Sequence, residues 1–85
     1  MKLHQLRYLV AVVQQGLNIT AAAGVLHTSQ PGVSKQIKLL EDELGFQVFK
    51  REGRNITRLT TAGKEVFEHA VRAIEEVDNI RRLSA

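Results

Sequence analysis

Residues 18–44 read Asn18-Ile19-Thr20-Ala21-Ala22-Ala23-Gly24-Val25-Leu26-His27-Thr28-Ser29-Gln30-Pro31-Gly32-Val33-Ser34-Lys35-Gln36-Ile37-Lys38-Leu39-Leu40-Glu41-Asp42-Glu43-Leu44. Thr20 can cap a short helix through Leu26, its hydroxyl accepting an orphan N–H of the first turn. A helix that short is not stable alone, and its alanines and glycine let a neighbour approach closely. Thr28-Ser29-Gln30-Pro31 then reads as a turn and a second helix start, with proline in the first turn, where its missing N–H is harmless. Val33, Ile37, Leu40 and Leu44 recur at helical spacing and Gly45 follows as a stop, so the second helix covers about 30–44. Its apolar stripe turns Pro31, Gly32, Lys35 and Lys38 outward and leaves Ser34 and Gln36 on the flanks. Leu39 also falls outward, and cover by the next segment is expected for it.

Outside this pair, Leu3, Leu6, Val10, Val13 and Leu17 keep helical spacing, and Gly16 ends a first helix of about 3–15. Phe46–Arg51 and Asn55–Leu59 alternate loosely around a turn at Glu52-Gly53, which predicts a basic two-stranded hairpin supported by helices behind it. Thr60 or Thr61 caps a last helix over about 62–83. There Val66, Ala70, Ala73, Val77 and Ile80 form one stripe, and Phe67, Val71 and Ile74 an adjacent one. Such a helix is roughly 33 Å long, more than a 60-residue body covers. The surplus apolar surface predicts a partner helix. Glu68 with Arg72 and Asp78 with Arg82 stand four apart and are expected as surface ion pairs.

The chain of 85 residues allows one small domain, and 44% hydrophobic with 25% charged residues excludes a disordered tail or fibrous repeat. There is no cysteine, hence no disulfide framework or thiolate metal site. Helix packing or a second subunit must hold the fold. Tyr8–Val13 is the longest apolar run, far below the roughly 20 residues of a membrane helix, and no signal-peptide pattern opens the chain. A soluble cytoplasmic protein without membrane contact is expected. The net charge of +3 conceals a division. Residues 1–40 carry +4, 41–45 carry −3, 46–64 carry +4 and 65–85 carry −2. Basic surface before residue 65 points to an anionic partner.

A short helix, a brief turn and a longer helix with small, polar and basic outer residues fit a helix-turn-helix, whose second helix reads base edges in the major groove. The same pair also occurs in helical bundles, where that face is merely solvated. Lys50, Arg51, Arg54 and Arg58 around the hairpin turn favour the DNA reading, because long cationic side chains there reach phosphates or a minor groove. The fold class is thus mainly α, a winged helix-turn-helix followed by a long helix, with residues 1–60 as DNA-binding domain and 61–85 as linker helix. Lys35 and Lys38 are expected at phosphate or guanine, and Gln30 and Gln36 at adenine. A dimerisation or adaptor module that binds protein is the alternative function.

No enzyme is expected. His4, His27 and His69 are 23 and 42 residues apart and form no metal-ligand motif. Glu41, Asp42 and Glu43 are consecutive on a helix and diverge, and neither a nucleophile motif nor a phosphate loop is present. No catalytic residue, metal or cofactor is assigned.

Several stretches together resemble the N-terminal DNA-binding domain of LysR-type transcriptional regulators: Leu6–Val10, Ile19–Ala23, Leu26–Pro31, Val33–Ile37, Leu40–Gly45, Val48–Arg51 and Leu59–Gly63. Met1-Lys2-Leu3 and Thr28–Gln36 look like the CysB and Cbl branch, regulators of sulfur assimilation and cysteine biosynthesis. The resemblance implies that Thr28, Ser29, Gln30, Pro31, Ser34, Lys35 and Gln36 lie at promoter DNA and that Arg51 and Arg54 belong to the wing. It further implies that the last helix pairs antiparallel in a homodimer, with Phe67, Ala70, Val71, Ile74, Val77 and Ile80 at the contact. Family members also carry a C-terminal domain that binds a small-molecule inducer, for this branch an acetylated serine, and completes a tetramer. This chain, ending where the linker helix should end, is expected to be the DNA-binding and dimerising piece of such a regulator.

Overall fold

Asn18 supplies the first structural decision after helix one. A computed structural model describes residues 1–84, and in it the Asn18 side chain accepts the Ala21 N–H at 2.9 Å and starts α2, Ile19–Leu26. Thr20, expected as the cap, lies inside the first turn. Both residue types cap well, and the extended backbone at Asn18 decides between them. α1 precedes it at Leu3–Gln14. His27 closes α2 in the left-handed conformation at φ 56°, and the Thr28 N–H reaches back to the Ala23 carbonyl at 3.0 Å. Ser29 then caps α3, Gln30–Leu44, by accepting the Gly32 N–H at 3.1 Å, with Pro31 in the first turn. Gly45 ends α3 at φ 80°.

Two strands follow, β1 at Phe49–Glu52 and β2 at Asn55–Leu59, paired antiparallel through a two-residue turn at Gly53-Arg54. Gly53 sits at φ 60°, a value its missing Cβ makes inexpensive. The turn is therefore one residue later than expected. The register runs Lys50 to Arg58 and then Arg51 to Ile56, so Thr57 forms a bulge. Thr60 caps α4, Thr61–Arg81, by accepting the Gly63 N–H at 2.9 Å.

α1 is the element the others surround, packing on α2, α3 and α4. This explains a departure from its expected stripe. Leu9 and Val12 are fully buried and Val10 and Ala11 nearly so, whereas Leu6, Val13 and Leu17 are half-buried around them. From α3, Val33, Ile37 and Leu40 enter the core as the spacing predicts; Val48, Phe49 and Ala70 complete it. Leu39 is 44% exposed. No later segment covers it, because the chain after Gly45 turns to the opposite flank of α3 to reach Val48.

The expected pairs along α4 give way to other partners. Asp78 binds Arg7 of α1 at 3.1 Å, Arg72 approaches His69 Nδ1 at 3.1 Å, and Arg82 donates to Asn79 at 2.6 Å. The Arg7–Asp78 pair ties the outer half of α4 to the body. Its inner end is fixed more tightly. A Cβ built on Gly63 falls onto the Val48 carbonyl oxygen, so only glycine permits this approach. In an ordinary helix alanine improves on glycine by about 1 kcal/mol, but overlap with backbone cannot be relieved by a rotamer change. Gly63→Ala is expected to cost a net ~2 kcal/mol, seen as a melting temperature lower by roughly 10 °C.

Candidate nucleic-acid interface

The cap at Ser29 and the turn at His27 present the start of α3 to solvent. Ser29, Gln30, Pro31, Ser34, Lys35 and Lys38 are exposed, while Thr28 and Gln36 are half-buried. Between the first turns of α2 and α3 and the tip of the hairpin runs an open groove of about 660 Å³, lined among others by Thr20, Gln30, Pro31, Ser34, Arg54 and Asn55. The fold thus brings Arg54, twenty or more residues away in sequence, beside the first turns of α3. Gln30 Nε2 donates to Thr20 Oγ1 across the groove floor, linking the two helices of the motif. Lys35 is unpaired among the described residues. Lys38 reaches Asp42 at 2.7 Å, but both side chains are more than half exposed, so the pair is weak and open to exchange for a phosphate.

Arg51 faces elsewhere. Its guanidinium grips Glu41, Nη2 to Oε1 at 3.0 Å and Nη1 to Oε2 at 3.3 Å. Glu41 is only 5% exposed and also accepts the backbone N–H groups of Val48 at 2.7 Å and Phe49 at 3.2 Å. A carboxylate removed from water is costly unless its lone pairs are met; here four donors meet them. Glu41 is the site residue that sequence reasoning passed over. Its signal was an acid beside the Ile37, Leu40 and Leu44 stripe, where a solvated side chain has no place. Lys50, Arg54 and Arg58 remain exposed on the wing.

The second constellation, on α4, separates into two parts. Ala70 is fully buried against its own chain, and Val66, Phe67, Val71 and Ile74 are half-buried beside the core. Val77 is half-buried, whereas Ile80 is 67% and Leu83 86% exposed. The apolar surface open to another molecule therefore increases toward the C-terminal end. Among the described residues no helix is long and apolar enough to cross a membrane.

A family model described as bacterial regulatory helix-turn-helix protein, lysR family, matches residues 3–64. The chain belongs to this family of DNA-binding transcriptional regulators, which is not a class of enzymes. The HTH-type transcriptional regulator CysB of Haemophilus influenzae is 50% identical over 84 residues, covering 99% of this chain and 26% of that protein. SsuR of Burkholderia cenocepacia is 48% identical over 84 residues, covering 99% and 27%. The chain spans about a quarter of the length of these curated relatives. Among solved structures, the CbnR_DBD-DNA complex matches with a TM-score of 0.87 and 39% identity, covering 99% of this chain and 94% of that one. The BenM_DBD/benA site 1 DNA complex matches at 0.89 and 37%, covering 99% and 92%.

The two arginines should part company on mutation. Arg51→Ala leaves a buried carboxylate without its counter-charge and is expected to destabilise the domain by about 2 to 3 kcal/mol. Arg54→Ala, at an exposed side chain without an ion pair among the described residues, should stay within about 0.5 kcal/mol of the parent. Urea denaturation midpoints of the two variants measure the difference.

Proposed function

We propose that this chain reads promoter DNA as half of a homodimer, placing the first turns of α3 in the major groove while the wing holds the adjacent backbone or minor groove. The observation that carries the reading is the convergence of exposed Gln30, Pro31, Ser34 and Lys35 with Arg54 around one groove. Lys35 and Lys38 supply charge to phosphate or guanine, and Gln30 and Ser34 lie where base edges pass. Arg51 serves the interface through Glu41, by fixing where the wing stands. The matching folds of two protein–DNA complexes support the same docking.

In this reading residues 1–60 contact DNA and 61–85 join subunits. Phe67, Val71, Ile74, Val77 and Ile80 form the dimer face, with Ala70 acting from within as core. In a full-length protein a C-terminal domain would bind the small-molecule inducer and complete a tetramer. Likeness to regulators named CysB, SsuR and Cbl supports a narrower assignment, control of sulfur-assimilation and cysteine-biosynthesis genes. A cytoplasmic location at the nucleoid follows, and no catalytic step enters.

The test is salt-dependent binding of the 85-residue chain to sulfur-gene promoter fragments. Lys35→Ala is expected to weaken binding about tenfold without lowering the melting temperature, since the exposed side chain makes no hydrogen bond or ion pair among the described residues; unchanged affinity rejects its role. Arg54→Ala should reduce the slope of log K against log salt by about one unit. Ile80→Glu places charge in the exposed part of the dimer face, and sedimentation should then report monomer where the parent reports dimer.

A further inference from the structure

Gln36 stands on α3 beside Lys35, and its side chain is not free to turn. Its carbonyl Oε1 receives Gln5 Nε2 at 3.2 Å and His4 Nε2 at 3.1 Å. An amide oxygen has two lone pairs: Gln5 takes one, and His4 takes the other in the tautomer that carries its proton on Nε2. The direction of these bonds is fixed further back. Gln5 is 7% exposed, and its own Oε1 accepts the backbone N–H of Lys2 at 3.0 Å. A backbone N–H can only donate. Gln5 must therefore keep its oxygen toward Lys2 and its NH2 toward Gln36, and Gln36 must keep its oxygen toward Gln5. The polarity starts at the N-cap of α1 and ends on the reading helix, leaving the Gln36 NH2 directed away from α1.

We propose that Gln5, with His4, is a positioning residue that makes Gln36 a donor-only contact to DNA, one that recognises acceptor oxygens and nitrogens and, where it meets a base, discriminates against adenine. Glutamine reads adenine by using its carbonyl and its NH2 together, against N6 and N7. With the carbonyl committed to α1, only the two N–H groups are offered. They match guanine O6 and N7, or a phosphate oxygen, and cannot satisfy the adenine N6 donor. This deepens the DNA-reading function proposed above, on which it rests, and replaces the adenine contact that the residue type alone led one to expect for Gln36.

The test selects duplexes with a randomised stretch against the parent chain and against Gln36→Ala, Gln5→Glu, Gln36→Lys and Gln36→Glu, then ranks bases by sequencing. Gln36→Ala locates the contact. If it is a base, one position loses discrimination and the parent prefers guanine there by about tenfold; if it is a phosphate, all selected duplexes weaken by the same factor. Gln5→Glu offers Gln36 a second acceptor in place of a donor, so the Gln36 amide turns over and presents its oxygen. At a base contact the preference should then pass to adenine or cytosine, a change that a loss of stability alone does not produce. At a phosphate contact affinity should fall about tenfold with the ranking kept. If Gln5→Glu fails to fold, the pair at Gln36 decides, with lysine retaining the parent's preference and glutamate losing it. Adenine preferred by the parent at the position relaxed by Gln36→Ala overturns the proposal, as does parental ranking and affinity in Gln5→Glu or in Gln36→Glu. A parent chain that enriches no sequence rejects the DNA-reading function itself, a result distinct from enrichment of the wrong base.

Discussion

The Glu41 carboxylate sits at the point where α3, the wing and the start of α4 would otherwise come apart. Five-hundredths exposed, it gathers two backbone N–H groups and a guanidinium from a segment 7 to 10 residues downstream. A two-stranded ribbon is not stable by itself in water, and the Val48 N–H precedes the ladder and has no strand partner. Glu41 supplies that partner. Because the bond is charge-assisted and shielded, it fixes the position of β1 relative to α3 more closely than the apolar contacts of Val48 and Phe49 alone. The groove between Arg54 and the first turns of α3 is a consequence of that placement.

Val48 passes the constraint onward. Its N–H goes to Glu41 while its carbonyl accepts the Thr60 N–H at 2.9 Å. Thr60 then caps α4, and Gly63 allows the helix to lie directly on the same carbonyl. One peptide segment thus connects α3 to the helix whose far end exposes Ile80 and Leu83. Val48, Thr60 and Gly63 thereby set the direction in which α4 leaves the body, braced further out by Arg7 on Asp78.

Features that repeat locally were legible in the sequence. The stripe of α3, its start within Thr28–Pro31 and its Gly45 stop, the hairpin and the long amphipathic α4 all follow from neighbours within a turn or two. What escaped depends on pairs distant in the chain. Arg51 and Glu41 are ten residues apart, Gln36 and Gln5 thirty-one, Arg7 and Asp78 seventy-one, and such pairs leave no period to detect. Composition makes the wing arginines Arg51, Arg54 and Arg58 equal, since all carry the same charge; burial separates Arg51 from the other two. The competition between Asn18 and Thr20 is a smaller instance, since two good caps two residues apart are resolved only by backbone dihedrals.

These distant pairs share a physical logic. On a small domain with a core of about a dozen buried apolar residues, area alone orients little, because apolar contact is non-directional. Polar groups with fixed donor and acceptor ends supply direction. Glu41 accepts only, Lys2 N–H donates only, and each transmits its sign to the next side chain, Arg51 in one case and Gln5 then Gln36 in the other. α3 is therefore oriented from both flanks, by a carboxylate toward the wing and by an amide relay toward α1. A DNA-binding domain needs that definition at its surface, where packing density no longer provides it.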